Sequence, residues 1–150
     1  MSASEPITCF IDTNVWLYAF IEGDDVVKHS TARELIHRSE PVISTQVINE
    51  VCVNLLRKTD TTEEQIEELV HGFYEKYRVI EPTRSILVGG SQLRQRYSLS
   101  FWDGLIISSA LHGGVSILYS EDMQDGLLVE GRLQIINPFV PRESSGSTSN

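Results

Sequence analysis

Short apolar runs alternate along this chain with longer segments in which apolar residues return every three or four positions. Ile7-Thr-Cys-Phe-Ile11 has the character of a buried strand, and it stops at the polar Asp12-Thr13-Asn14, after which a helical stretch follows. Residues 26–38 put Ala32, Leu35 and Ile36 on one helical face, Pro41–Ser44 reads as a second short strand, and Thr45 can cap a helix running to about Arg57. Thr61-Thr-Glu-Glu-Gln65 is a capping-box start for a helix whose apolar face is Ile66, Leu69, Val70, Phe73 and Tyr77. Arg78-Val-Ile80 predicts a brief strand, and residues 83–97 a helix with Ile86, Gly90, Leu93 and Tyr97 in register. Ser100 starts a very apolar helix from Phe101 to about His112, and Gly113-Gly114 supplies its left-handed end. Val115–Tyr119 and Gln134–Ile136 are the last two strands.

Strands separated throughout by helices predict an α/β domain with a mainly parallel sheet covered on both faces. Binding sites in such sheets lie outside the carboxyl ends of the strands, and Asp12 and Asp122 both fall there. Length and composition add limits. At 150 residues the chain suits one domain, expected over 1–140, and 41% hydrophobic residues in this pattern favour a packed core over disorder. Ser- and Gly-rich residues 141–150 read as a disordered tail. No apolar run reaches membrane-spanning length, and the first six residues lack the basic start and apolar stretch of a secretory signal, so a cytoplasmic location is expected. Cys9 and Cys52 lie in apolar segments and read as buried, reduced thiols.

The formal charge of −9 argues against general adhesion to nucleic acid, whose affinity comes from lysine and arginine on phosphates. It suits a divalent cation held by clustered carboxylates, or a basic protein segment. Four acids are candidates for such a cluster. Asp12 also serves as a turn or cap residue at the end of its strand. Glu50 shares a polar helix face with Gln46 and Asn54, which a solvated surface explains equally well. Asp103 begins an otherwise apolar helix with Ile106, Ile107 and Ala110, where an unpaired carboxylate is costly, although Ser100 and Asp103 also make a capping pair. Asp122 lies in a polar break with Glu121 and Asp125 as competitors for the same role. Brought together, such carboxylates either protonate or hold a cation, and oxygen ligands select Mg²⁺ or Mn²⁺ over Zn²⁺. His29, His37, His71 and His112 are scattered without metal-ligand spacing.

Four pieces in this order resemble the PIN domain, most closely the VapC-type toxin nucleases of type II bacterial toxin–antitoxin pairs. They are Phe10-Ile-Asp-Thr-Asn-Val-Trp16, Val47-Ile-Asn-Glu-Val51, Leu99-Ser-Phe-Trp-Asp-Gly-Leu-Ile106 and Leu118-Tyr-Ser-Glu-Asp-Met-Gln-Asp-Gly126. The resemblance covers about residues 7–138 and implies a three-layer α/β/α fold with a five-stranded, mainly parallel sheet of order 3-2-1-4-5. It implies an acidic quartet of Asp12, Glu50, Asp103 and Asp122 as metal ligands and catalytic groups, with Asn14 and Ser120 as supporting polar residues. The implied activity is Mg²⁺-dependent endonucleolytic cleavage of RNA, with Mn²⁺ as the alternative ion, leaving 3′-hydroxyl and 5′-phosphate ends. A small cognate antitoxin and a homodimer, with contacts from helices around 45–77, are the implied partners. Gly104 departs from a frequent alanine.

Arg94 and Arg96 are candidate RNA contacts, with a solvated face as the alternative, while Phe101 and Trp102 read as core residues in preference to base-stacking platforms. Two other functions fit parts of the pattern. A phosphatase or phosphotransfer domain would use Asp12 as nucleophile, but Asn14 stands where haloacid-dehalogenase-like phosphatases carry a second aspartate. A PIN-like binding module without catalysis would be expected to lose acids, and all four positions are filled.

Overall fold

The strand β1 (Thr8–Ile11) forms the axis of the sheet because Cys9, Phe10 and Ile11 are all fully buried, although successive side chains point to opposite faces. Both faces of β1 are therefore covered. In the computed structural model, which describes residues 5–141, α1 (Thr13–Phe20) and α2 (Val26–Arg38) follow β1, and then β2 (Glu40–Ser44), α3 (Thr45–Lys58) and α4 (Glu63–Lys76). The chain continues through β3 (Arg78–Ile80), α5 (Arg84–Arg96), α6 (Phe101–His112), β4 (Ile117–Tyr119), β5 (Leu128–Val129) and β6 (Leu133–Ile136). The tail expected at 141–150 lies, after Pro141, outside the described residues.

The sheet order is β3-β2-β1-β4-β6-β5, with every neighbouring pair parallel except β5 and β6. This is the expected 3-2-1-4-5 arrangement with β6 in fifth place, corrected from five strands to six. The added strand β5 is two residues long and turns back on β6 through Glu130 (φ 52°) and Gly131 (φ 67°). Two residues are too few to show a period, which is why no strand was expected there. β1 pairs with β2 on one side and β4 on the other, so the carboxyl ends of β1 and β4 lie side by side where the connections diverge.

Helix ends follow local chemistry. Ser44, one residue before the expected cap, receives Val47 N (3.3 Å), so α3 begins directly at the end of β2. The capping box of α4 uses Thr62 and Gln65, with reciprocal bonds of 2.8 and 3.2 Å. At the end of α6, Gly113 stays right-handed and Gly114 takes the left-handed conformation (φ 73°). Trp16 anchors α1: its ring is buried, its Nε1 donates to Ile11 O (3.1 Å), and it meets Phe73 and Tyr77 edge-on. Cys9 and Cys52 are free and buried, and burial pushes the Cys9 thiol up to about 11, as expected of an unreactive core residue. Among the described residues no helix is long and apolar enough to cross a membrane.

Candidate active site

Asp12 follows β1, and its backbone N–H extends the ladder to Tyr119 O of β4 (2.9 Å). Its carboxylate caps α1, with Oδ1 accepting from Thr13 N (2.8 Å) and Oδ2 accepting from Ser120 Oγ (2.8 Å). The residue is only 8% exposed. Burial pushes its carboxyl up to about 6; the two hydrogen bonds oppose that rise, and the charges of Asp103 and Glu50 add to it.

The other acids arrive from separate elements. Glu50 lies in the second turn of α3, where Oε2 accepts from Thr13 Oγ1 (3.0 Å) and Oε1 from Gln46 Nε2 (2.8 Å). Gln46 and Asn54 flank it as the four-residue spacing implies, and Asn54 Nδ2 donates to Glu50 O (2.8 Å). Asp103 occupies the first turn of α6, with its N–H donating to Ser100 Oγ (3.1 Å). Its carboxyl is also raised, by burial first and then by the charges of Asp122 and Glu50. Asp122 is exposed after β4 and accepts a hydrogen bond from Asn14 Nδ2 of α1. The four acids therefore form one electrostatically connected group at the carboxyl ends of β1 and β4.

The competitors of Asp122 are engaged elsewhere. Glu121 pairs with Lys28 of α2 and accepts from Tyr18 Oη (2.9 Å), while Asp125 Oδ1 accepts from Asn137 N (2.8 Å). Tyr18 and Lys28 were not expected at the site. Their contacts span 103 and 93 residues, beyond any local pattern. Ser120, fully buried, both donates to Asp12 and accepts from Met123 N (3.2 Å), so it joins the strand end to the loop carrying Asp122.

The donors are all oxygen, and among the described residues no three His, Cys, Asp or Glu side chains are placed to hold a metal ion together. An open set of this kind suits a hard ion that keeps most of its water and takes one or two carboxylates at a time.

Phe101 and Trp102 are 54% and 61% exposed, which corrects their reading as core residues: their side chains leave the start of α6 on its solvent side, although Arg94 of α5 reaches this turn. Trp102 lines a pocket of about 590 Å³ together with Gln46, Asn49, Glu50, Ile86 and Leu105, so the aromatic ring shares a wall with Glu50. Arg94 stacks over Phe101 (4.1 Å to the ring centre) and donates to Phe101 O (3.1 Å), close to the Asp103 turn. Arg96 instead pairs with Glu130. Gly104 has a local reason: a Cβ there would lie 2.8 Å from Arg94 Cγ and 3.2 Å from Gly90 O.

The family described as the PIN domain matches the chain over residues 9–124. No curated protein matches it. Among solved structures, a toxin–antitoxin complex from Klebsiella pneumoniae is similar with a TM-score of 0.66 and 20% identity, over 87% of this chain and 98% of the other. Mycobacterium tuberculosis VapC20, a sarcin–ricin loop cleaving toxin, has a TM-score of 0.63 and 21% identity over 76% and 89%. VapBC2 from Rickettsia felis, bound to a DNA fragment from its promoter, has a TM-score of 0.60 and 17% identity over 87% and 100%. At these identities the likeness establishes a shared fold.

Proposed function

Starting from the fact that this chain belongs to the PIN-domain family, we propose that it is a metal-dependent endoribonuclease, the toxin of a toxin–antitoxin pair. The observation that carries the reading is the burial of Asp12 beside two further acids, which pushes its carboxyl up to about 6. A protein keeps such a carboxylate near neutral pH at a cost, and a divalent cation in that place reverses the cost.

Asp12, Glu50, Asp103 and Asp122 would hold Mg²⁺ or Mn²⁺. The ion, when bound, supplies Lewis-acid stabilisation of the phosphate and a water acidic enough to serve as nucleophile. The side chains do the positioning. Thr13 and Gln46 fix both oxygens of Glu50, and Ser120 with the Thr13 amide fixes both oxygens of Asp12, so neither acid must reorganise when the substrate arrives. Asp122 accepts from Asn14 Nδ2 and, unlike Asp12, is exposed. Hydrolysis then forms a bond from the water oxygen to phosphorus and breaks the bond to the 3′ oxygen, which leaves with a proton as a 3′-hydroxyl. The two hydrogen bonds on the Asp12 oxygens also favour a ligand role over a nucleophilic one.

The toxin reading is supported by the similar structures that carry an antitoxin, those from Klebsiella pneumoniae and Rickettsia felis. A small antitoxin with a basic or apolar segment would neutralise the acids, and a homodimer is the expected assembly, checked by light scattering. The deciding experiment is incubation of the purified chain with RNA in Mg²⁺ or in chelator, with the new ends sequenced. Cleavage is expected in Mg²⁺ only, and it should fall by about 10²-fold or more in Asp12→Asn and Asp103→Asn, as for loss of a main electrostatic stabiliser. Full activity in either variant would remove that residue from the machinery.

A further inference from the structure

The segment Ser120–Met123 is tied at consecutive residues to different parts of the molecule. Ser120 holds Asp12, Glu121 reaches Lys28 and Tyr18, Asp122 meets Asn14, and Met123 is buried with its amide on Ser120 Oγ. Glu121 is held by two side chains. Lys28 Nζ pairs with its Oε2 and lies 3.4 Å from Tyr18 Oη, while Tyr18 Oη donates to Oε1. The ammonium sits over two rings, 5.1 Å from the centre of Tyr18 and 5.5 Å from that of Phe139, and those rings meet each other edge-on. Side chains of Lys28 and Glu121 are 31% and 21% exposed, so the pair is shielded more than an ordinary surface ion pair. The lysine is itself aimed from below. Asp25 caps α2 through Lys28 N (3.0 Å), and His29 Nδ1 lies 2.8 Å from Tyr18 O, fixing α2 against α1.

Nothing in the proposed chemistry requires these groups, yet they surround the residue next to Asp122. We propose that Lys28 and Tyr18 are positioning residues: by holding Glu121 away from the acid cluster they fix the loop that presents Asp122 and so set the ion affinity of the site. The proposal rests on the nuclease reading for its catalytic consequence, but not for its structural one. Without Lys28, Glu121 keeps only the Tyr18 hydroxyl, and the loop that carries Asp122 loses its ionic tie to α2.

The test uses the full chain carrying Lys28→Met, which keeps the aliphatic stem and removes the charge. Mn²⁺ affinity by titration calorimetry and kcat on RNA should each fall about tenfold, the usual range for loss of a group behind a metal ligand, with KM for RNA little changed. Amide exchange at Met123 should speed up about tenfold or more while core amides keep their protection. Lys28→Arg should restore all three. Tyr18→Phe, which deletes one hydroxyl from the same anchor, should show a smaller loss of the same kind and serves if Lys28→Met does not fold. Wild-type Mn²⁺ affinity and Met123 exchange in a folded Lys28→Met chain would overturn the proposal. If the wild-type chain cuts no RNA, the nuclease reading falls, and the anchor is judged by Met123 exchange alone.

Discussion

At Asp12 the proposed function is set against stability. Its folded carboxyl titrates near 6 because of burial, above the ordinary value of 3.8, so the folded state binds this proton more tightly than the unfolded chain does. Stability from the protonated form is present below about pH 4 and lost as pH rises through about 6. In chelator the wild type should therefore lose about 2 kcal/mol from this group between pH 4 and 7, and Asp12→Asn should not. Urea midpoints of the two proteins across that range give the difference directly, and parallel curves would refute it. Mg²⁺ should restore the wild type alone. Asp12, Glu50 and Asp103 were legible in the sequence because each sits at a local boundary or on a periodic face. The choice of Asp122 over Glu121 came only from the resemblance, and the contacts with Lys28 and Tyr18 that occupy Glu121 were beyond any local pattern, since only the folded chain brings them to the loop.

Between elements, the closest packing is that of α5 on α6, and glycine makes it so. A Cβ at Gly89 would lie 2.6 Å from Ser108 Oγ, and one at Gly90 3.0 Å from Leu105 Cδ2. Ser108 Oγ donates across the contact to Ile86 O (2.8 Å). Glycine within a helix costs about 1 kcal/mol relative to alanine, which the close approach offsets. Gly104→Ala should therefore destabilise the protein by about 1–3 kcal/mol through overpacking, in place of the gain that helix propensity alone implies. Arg94→Ala in the same chain should remove most of that loss by clearing the nearest atom, and a thermodynamic cycle of the four proteins measures it. The helices themselves were legible from their apolar period and caps. Two features were not. β5 is shorter than any pattern, and the exposure of Phe101 and Trp102 depends on where the first turn of α6 ends up relative to its neighbours.

For the molecule as a whole, 12 lysines and arginines stand against 21 aspartates and glutamates, and several of the cations are already committed. Lys28 and Arg96 pair with Glu121 and Glu130, and Arg78 and Arg94 donate to the carbonyls of Gly113 and Phe101. A polyanion approaching the acid cluster thus meets net repulsion, which only a bound cation or a basic partner offsets locally. The consequence is quantitative. Each phosphate neutralised by a side-chain cation adds to the salt dependence of binding, about −0.7 per contact in log–log slope for single strands. With Arg94 as the basic group seen against the Asp103 turn, the slope for single-stranded RNA should be no steeper than about −2. Fluorescence anisotropy of labelled RNA in Ca²⁺ at rising KCl measures that slope, and chelator should abolish binding at every salt concentration. A slope of about −5 that persists in chelator would show a basic RNA track independent of the metal, and the acid cluster would then lose its place as the entry point of the substrate.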